Sequence, residues 1–266
     1  MVKGRVLIIA GSDPSGGAGI QADIKTVTAL GGYAATAITA LTVQNTRGVS
    51  AVHSVAPELI RAQIEAVMSD IGADAIKVGM IGEVEAAELI GATLADYPQS
   101  IPVVLDPVLI ATSGDALAGE GVAGIIRDEL APLAAIITPN MEEAAALTGI
   151  EVDQEETMIA AGENLIASGA GAALIKGGHL TGEIVKDVLV TPAGVRIFSN
   201  PRIDTTSTHG TGCTLASAVA TGLAQGMALQ AAVKRAIDYV HVAIKTAPGY
   251  GEGQGPLNHA HTVDSD

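Results

Sequence analysis

Between Asp204 and Thr214 the chain reads Asp-Thr-Thr-Ser-Thr-His-Gly-Thr-Gly-Cys-Thr, a polar, glycine-rich run leading into an Ala-rich helical segment. The first-turn amides of a helix lack carbonyl partners one turn back and carry the positive end of the helix dipole. The amides of Gly210, Thr211, Gly212 and Cys213 are therefore expected to converge on an anion, with small side chains leaving it room to approach. That suits a phosphoryl group in transfer. Cys213 is the chain's single cysteine. At a helix start the dipole is expected to lower its thiol pKa, although a lone cysteine is more often an inert small hydrophobe.

A second glycine-rich run, Gly-Ser-Asp-Pro-Ser-Gly-Gly-Ala-Gly (11–19), follows a strand-like segment. No Gly-Lys-Ser/Thr ends it and Gly-x-Gly-x-x-Gly is absent, so it is neither a Walker loop nor a dinucleotide fingerprint. Its glycines still let backbone come close to a ligand. Asp23, one turn into the following helix, is an ordinary surface acid unless its face turns into the cleft. Gln44, Asp106, Asn140 and Lys176 each close or follow another strand-like run.

The elements that must position these residues alternate. Strands are predicted at 5–10, 35–43, 75–78, 102–105, 135–137 and 172–175, with a hairpin of 185–190 and 195–198. Helices are predicted at 17–30, 57–69, 84–95, 118–129, 141–147, 154–168, 211–224 and 229–247. Continuous apolar strands separated by helices imply a mostly parallel sheet covered on both faces. In such sheets ligands bind beyond the carboxyl ends of the strands, where the candidate residues cluster. The expected organisation is one α/β domain over 1–258 and a loose polar tail over 259–266.

Composition narrows the function. Hydrophobic residues make up 48% and aromatics only 2%, so Ala, Val, Ile and Leu must build the core. A net charge of −15 with only 14 Lys and Arg argues against nucleic acid. One cysteine excludes an internal disulfide and an all-cysteine zinc site. Mean hydropathy is +0.41, but the two long uncharged stretches, 26–46 and 205–233, are broken by glycines and rich in Thr and Ser, which argues against a membrane span. The start, Met-Val-Lys-Gly-Arg, lacks a long apolar signal region, and a cytoplasmic location is expected.

The runs GSDPSGGAGIQAD (11–23), LTVQNTRGV (41–49), KVGM (77–80), LDP (105–107), TPNMEEA (138–144), KGGH (176–179) and HGTGCT (209–214), in this order, resemble the hydroxymethylpyrimidine/phosphomethylpyrimidine kinases of thiamine synthesis. These belong to the ribokinase superfamily, and the similarity extends from about residue 5 to about 258. It implies a ribokinase-like three-layer α/β/α fold and ATP-dependent phosphorylation of 4-amino-5-hydroxymethyl-2-methylpyrimidine, first to the monophosphate and then to the diphosphate. It also implies a homodimer. Position by position, it places Gly11, Asp23, Gln44 and Met80 at the pyrimidine. Asn140 and Glu143 would organise Mg²⁺ with the nucleotide, Asp106 would assist the metal or phosphates, and Lys176 would contact the phosphates. Glu142 competes with Glu143 for the metal.

In the wider superfamily the position of Cys213 is generally an aspartate base, whereas the pyrimidine kinases carry cysteine. An alcohol acceptor gains from a base; a phosphate acceptor is already mostly ionised at neutral pH. Cys213 is therefore expected to serve the first transfer more than the second. A pyridoxal or pyridoxine kinase shares the fold and the Gly-Thr-Gly-Cys turn, and Gln44 and Met80 favour the pyrimidine. A non-catalytic pyrimidine sensor would not need Asn140, Glu143, Lys176 and Gly210–Cys213 together.

Overall fold

The computed structural model describes residues 3–111, 114–115, 117–178 and 180–263; His179, which ends the Lys-Gly-Gly-His motif, lies outside them. The chain runs β1 (Arg5–Ser12), α1 (Gly19–Ala29), β2 (Tyr33–Asn45), β3 (Gly48–Ser54), α2 (Pro57–Asp70), β4 (Ala75–Val78), α3 (Val84–Ala95) and β5 (Val103–Leu105). It continues through α4 (Val122–Ile125), β6 (Ile136–Ile137), α5 (Met141–Thr148), α6 (Glu155–Ala167), β7 (Ala173–Ile175), β8 (Ile184–Thr191), β9 (Gly194–Pro201), α7 (Thr211–Ala224) and α8 (Leu229–Lys245).

The nine strands form one sheet in the order β3-β2-β1-β4-β5-β6-β7-β8-β9. From β2 to β7 every neighbouring pair is parallel. The antiparallel pairs lie at the two ends. Side-chain alternation along β1 explains the layering. Leu7 and Ile9 enter one core with residues of α2, α3, α5 and α6. Val6, Ile8 and Ala10 enter the other with residues of α1, α7 and α8. The result is a three-layer α/β/α arrangement. No helix among the described residues is long and apolar enough to cross a membrane.

Three sequence expectations need correction. Residues 48–54 form an additional strand, β3, which lies at the sheet edge and is half-exposed; it carries no continuous apolar run to announce itself. The helix expected over 118–129 is regular only at Val122–Ile125, after Gly121 at φ +89°. It then widens into a π-type turn at Ile126–Leu130 and tightens at Ala131–Leu133, where Pro132 removes a donor. The tail expected to be loose is held down as far as it is described. His259 is buried, with Nε2 at 3.0 Å from Thr214 Oγ1. Tyr239 donates to the His259 carbonyl at 2.5 Å, and Thr262 donates to the Ala29 carbonyl at 2.7 Å.

Candidate active site

Parallel packing brings the carboxyl ends of β1, β4, β5, β6 and β7 to one edge, and β2 extends past it to reach Gln44. The loops there and the start of α7 surround a cavity of about 510 Å³. Of the candidate residues, Gly11, Gln44, Met80, Asp106, Asn140, Glu143, Lys176 and Gly210–Cys213 all line it.

Asp23 does not. Its carboxylate is fully buried, paired with Lys77 Nζ at 2.9 Å and accepting from Ser217 Oγ at 2.6 Å. The α1 face carrying Asp23 turns toward α7 and β4, away from the cavity. Placing it at the pyrimidine is therefore corrected.

The two glycine loops form a single unit. Gly210 caps α7 at φ +81°, and a β-carbon there would collide with the Gly17 carbonyl. His209 bridges the loops from the other side, its Nε2 2.8 Å from Asp13 Oδ2. Asp13 also accepts from the Ser15 hydroxyl and from the amides of Ser15 and Ala18, each at 2.8 Å. Burial pushes the Asp13 carboxyl upward, but the bonds from His209, Ser15 and Ala18 outweigh it and hold the carboxyl below its ordinary range. His209 is thus an orienting residue between loops, a role the sequence left open.

At the acceptor end, Met80 is buried and packs over Gly11, where a β-carbon would lie 2.9 Å from its sulfur. The Thr42 hydroxyl lies 3.1 Å from both the Ser12 carbonyl and Gln44 Oε1. That contact fixes the Gln44 amide with one edge available to a ligand.

At the donor end, Lys176 follows β7 and its backbone amide bonds to the Pro139 carbonyl, which carries the parallel pairing into the loop. Its Nζ lies 3.1 Å from Asp106 Oδ1 and 3.8 Å from Glu143 Oε2. Asn140 and Glu143 form a capping box on α5: Glu143 N–H donates to Asn140 Oδ1 at 2.8 Å, and Asn140 N–H to Glu143 Oε2 at 2.7 Å. Both candidate glutamates line the cavity, but they differ in burial. Glu143 is buried beside Lys176, whereas Glu142 is exposed. Burial, with Asp106 nearby, pushes the Glu143 carboxyl up to about 7 against the pull of Lys176.

Asp106 Oδ2 is buried and has no hydrogen-bond partner among the described residues. With Glu143 it offers two carboxylates against one ammonium, a donor set that fits a hydrated divalent cation. No group of three or more potential ligands occurs among the described residues. Magnesium takes few protein ligands and retains waters, so a sparse site suffices.

Cys213 lies at the first turn of α7, partly buried, and lines the cavity. The expected lowering of its pKa is overturned. Burial, reinforced by Asp23 and Asp106, pushes the thiol up to about 12 against the attraction of Lys77. The resting group is the protonated thiol.

Two lining residues had no motif to reveal them. Asp187, on β8, accepts the Gly177 amide at 3.0 Å and so fixes the backbone next to Lys176. Arg202 donates to the carbonyls of Gly178, Leu180 and Gly182, pinning the β7–β8 loop. Neither belongs to a local pattern.

A profile of the phosphomethylpyrimidine kinase family matches residues 13–258. The Geobacter sulfurreducens thiamine biosynthesis bifunctional protein ThiED is 48% identical over 97% of this chain, which spans 52% of that longer protein. The hydroxymethylpyrimidine/phosphomethylpyrimidine kinase of Rhizobium meliloti is 45% identical over 96% of both chains. Among solved structures, the ADP complex of Bacillus subtilis pyridoxal kinase superposes with a TM-score of 0.89 at 37% identity, covering 97% of this chain and 98% of that one. The chain thus belongs to the phosphomethylpyrimidine kinase family, whose members are phosphotransferases.

Proposed function

We propose that the protein transfers the terminal phosphoryl group of ATP to 4-amino-5-hydroxymethyl-2-methylpyrimidine and then phosphorylates the monophosphate to the diphosphate. The observation carrying this reading is one continuous cavity. It has Gly11, Gln44 and Met80 at one end, Asp106, Asn140, Glu143 and Lys176 at the other, and the Gly210–Cys213 turn between them.

Gln44 matches the donor and acceptor edge of an aminopyrimidine, and Met80 supplies an adaptable apolar wall. Lys176 holds a phosphate as a point charge, and the Gly210–Cys213 amides receive negative charge as it moves. Asp106 and Glu143 would hold Mg²⁺, which would supply charge neutralisation for a bound nucleotide. The Cys213 side chain, a protonated thiol, orients the acceptor hydroxyl, whose proton passes to a transferring phosphoryl oxygen as the new oxygen–phosphorus bond forms and the bond to the nucleotide's leaving diphosphate breaks.

The same reading takes the chain as one domain over 1–258, acting in the cytoplasm on small molecules without nucleic acid or membrane. It takes the chain as a homodimer, supported by Leu41, Val43 and Val52 exposed on the β2–β3 hairpin.

Mass-spectrometric product analysis with hydroxymethylpyrimidine, its monophosphate and pyridoxal offered separately, with MgATP, tests the proposal. Successive appearance of pyrimidine mono- and diphosphate is expected. Higher kcat/KM for pyridoxal would transfer the assignment to pyridoxal. Substrate binding without any product would make the chain a sensor.

A further inference from the structure

Beneath the transfer turn lies a charge pair that the proposed reaction does not use. β4 sends Ile76 and Val78 into the core shared with α2 and α3. The intervening Lys77 points to the opposite face, where it is fully buried with Nζ 2.9 Å from Asp23 Oδ2. Gly79 makes space for it, since a β-carbon there would come within 2.5 Å of Nζ. A side-chain hydrogen bond joins α1 to α7 at this point. Ser217, one turn into α7 from Cys213, donates to Asp23 at 2.6 Å; Cys213 stands at the first turn of the same helix. Residues 19 and 23, like 213 and 217, are four apart and share a helix face.

A buried ion pair contributes little stability, because desolvation offsets most of the attraction. An ammonium fixed in dry surroundings under a turn that receives negative charge is far better suited to electrostatic work. We infer that Lys77 is a positioning residue of the transfer site: anchored by Asp23 against the inner side of α7, it is the fixed countercharge beneath Cys213 and its neighbouring amides. The inference deepens the reading of Cys213 given above and rests on it.

Four charged groups act on the thiol: Lys77 from β4, Asp23 from α1, Asp106 beyond β5 and Lys176 beyond β7. The attraction of Lys77 on the thiol exceeds the repulsion of either carboxylate, and Asp23, bonded to Ser217 of α7, holds the ammonium against that helix. Asp23, with Asp106 farther off, holds the ammonium charged, above its ordinary range, against the opposing effect of burial.

Cys213 is the chain's one cysteine, so alkylation by iodoacetamide reads its thiolate content without nucleotide or acceptor. Two variants serve: Lys77→Met, and Lys77→Met combined with Asp23→Asn, which leaves no unpaired buried charge and protects the fold. Circular dichroism selects folded material. At pH 8.5 both should alkylate about three- to tenfold more slowly than the parent, from the loss of an opposite charge tempered by the greater nucleophilicity of a more basic thiolate. The folded double variant should also show kcat for the first transfer about tenfold lower, with both KM values within about twofold. An unchanged alkylation rate in the folded double variant would reduce the pair to a packing strut. Absence of kinase activity in the parent protein would overturn the proposed function instead, and the alkylation comparison would still decide the role of Lys77.

Discussion

His209 and Asp13, 196 residues apart, share a buried 2.8 Å hydrogen bond that ties the two glycine loops into one wall of the cavity. Removing the imidazole leaves a buried carboxylate one partner short, at a cost of ~1–3 kcal/mol. His209→Ala is expected to lower Tm and to reduce kcat for both phosphorylations equally, because the shared turn moves. The carboxyl also predicts a pH dependence. In the folded protein it is held below the ordinary aspartate value of 3.8, so the stabilisation is present above that value and is lost as pH falls through the folded pKa. Asp13→Asn should therefore flatten stability against pH below about 4. Urea unfolding between pH 3 and 7 checks the sign; equal slopes in the two proteins would refute it.

Gly11 and Met80 meet at the acceptor end, where any β-carbon on residue 11 would lie 2.9 Å from the methionine sulfur. Gly11→Ala is expected to push Met80 into the pyrimidine space at roughly 1–3 kcal/mol, the usual scale of overpacking. KM for the pyrimidine should rise about tenfold or more while KM for ATP stays put. Met80→Ala creates the room that the new methyl needs, so the double variant should lose less than the two single losses combined. Strict additivity would mean that the two residues do not share the pocket.

Much of this site was legible because it is written in short runs that follow buried strands. Lys176, Asp106, Asn140 and Gly210–Cys213 needed only the topology of a parallel sheet to bring them together. Asp23 was misplaced for a physical reason: position in a helix does not reveal which neighbour its face will meet, and here that face meets Lys77. The thiol of Cys213 was misjudged because a helix start was visible and its burial was not. Asp187 and Arg202 act on backbone at Gly177–Gly182 through contacts formed only when β8 and β9 pair. The edge strand β3 has too few apolar residues to be read without its partner β2.

Gly210 and Gly212 are both small for the sake of the turn, yet substitution should separate them. Residue 210 sits at φ +81° with the Gly17 carbonyl in the path of any β-carbon. Gly210→Ala is therefore strained by ~1–2 kcal/mol from the backbone alone, with the collision added. It should lower Tm and abolish most activity. At residue 212 the nearest atom is Lys176 Nζ, 3.0 Å from the added carbon. That is the movable end of a long side chain, so Gly212→Ala should fold normally and displace the ammonium from the phosphates. Thermal unfolding and KM for ATP distinguish the two. A Gly212→Ala protein with parent KM would show that Lys176 does not contact the nucleotide.

Cys213 yields the sharpest kinetic expectation. With the thiol pushed up to about 12 by burial, its ionisation cannot shape the rate between pH 6 and 9, and the first phosphorylation should show no thiol titration there. The group still contacts an acceptor hydroxyl that must shed a proton, whereas the monophosphate acceptor brings an ionised oxygen. Cys213→Ala should thus reduce single-turnover phosphorylation of the alcohol by up to about 10²-fold, the scale for a misplaced reacting group, and affect the monophosphate far less. Cys213→Ser, which keeps a hydroxyl at the same place, should recover part of the first rate. Equal losses on both acceptors would leave the cysteine as a packing residue at the start of α7.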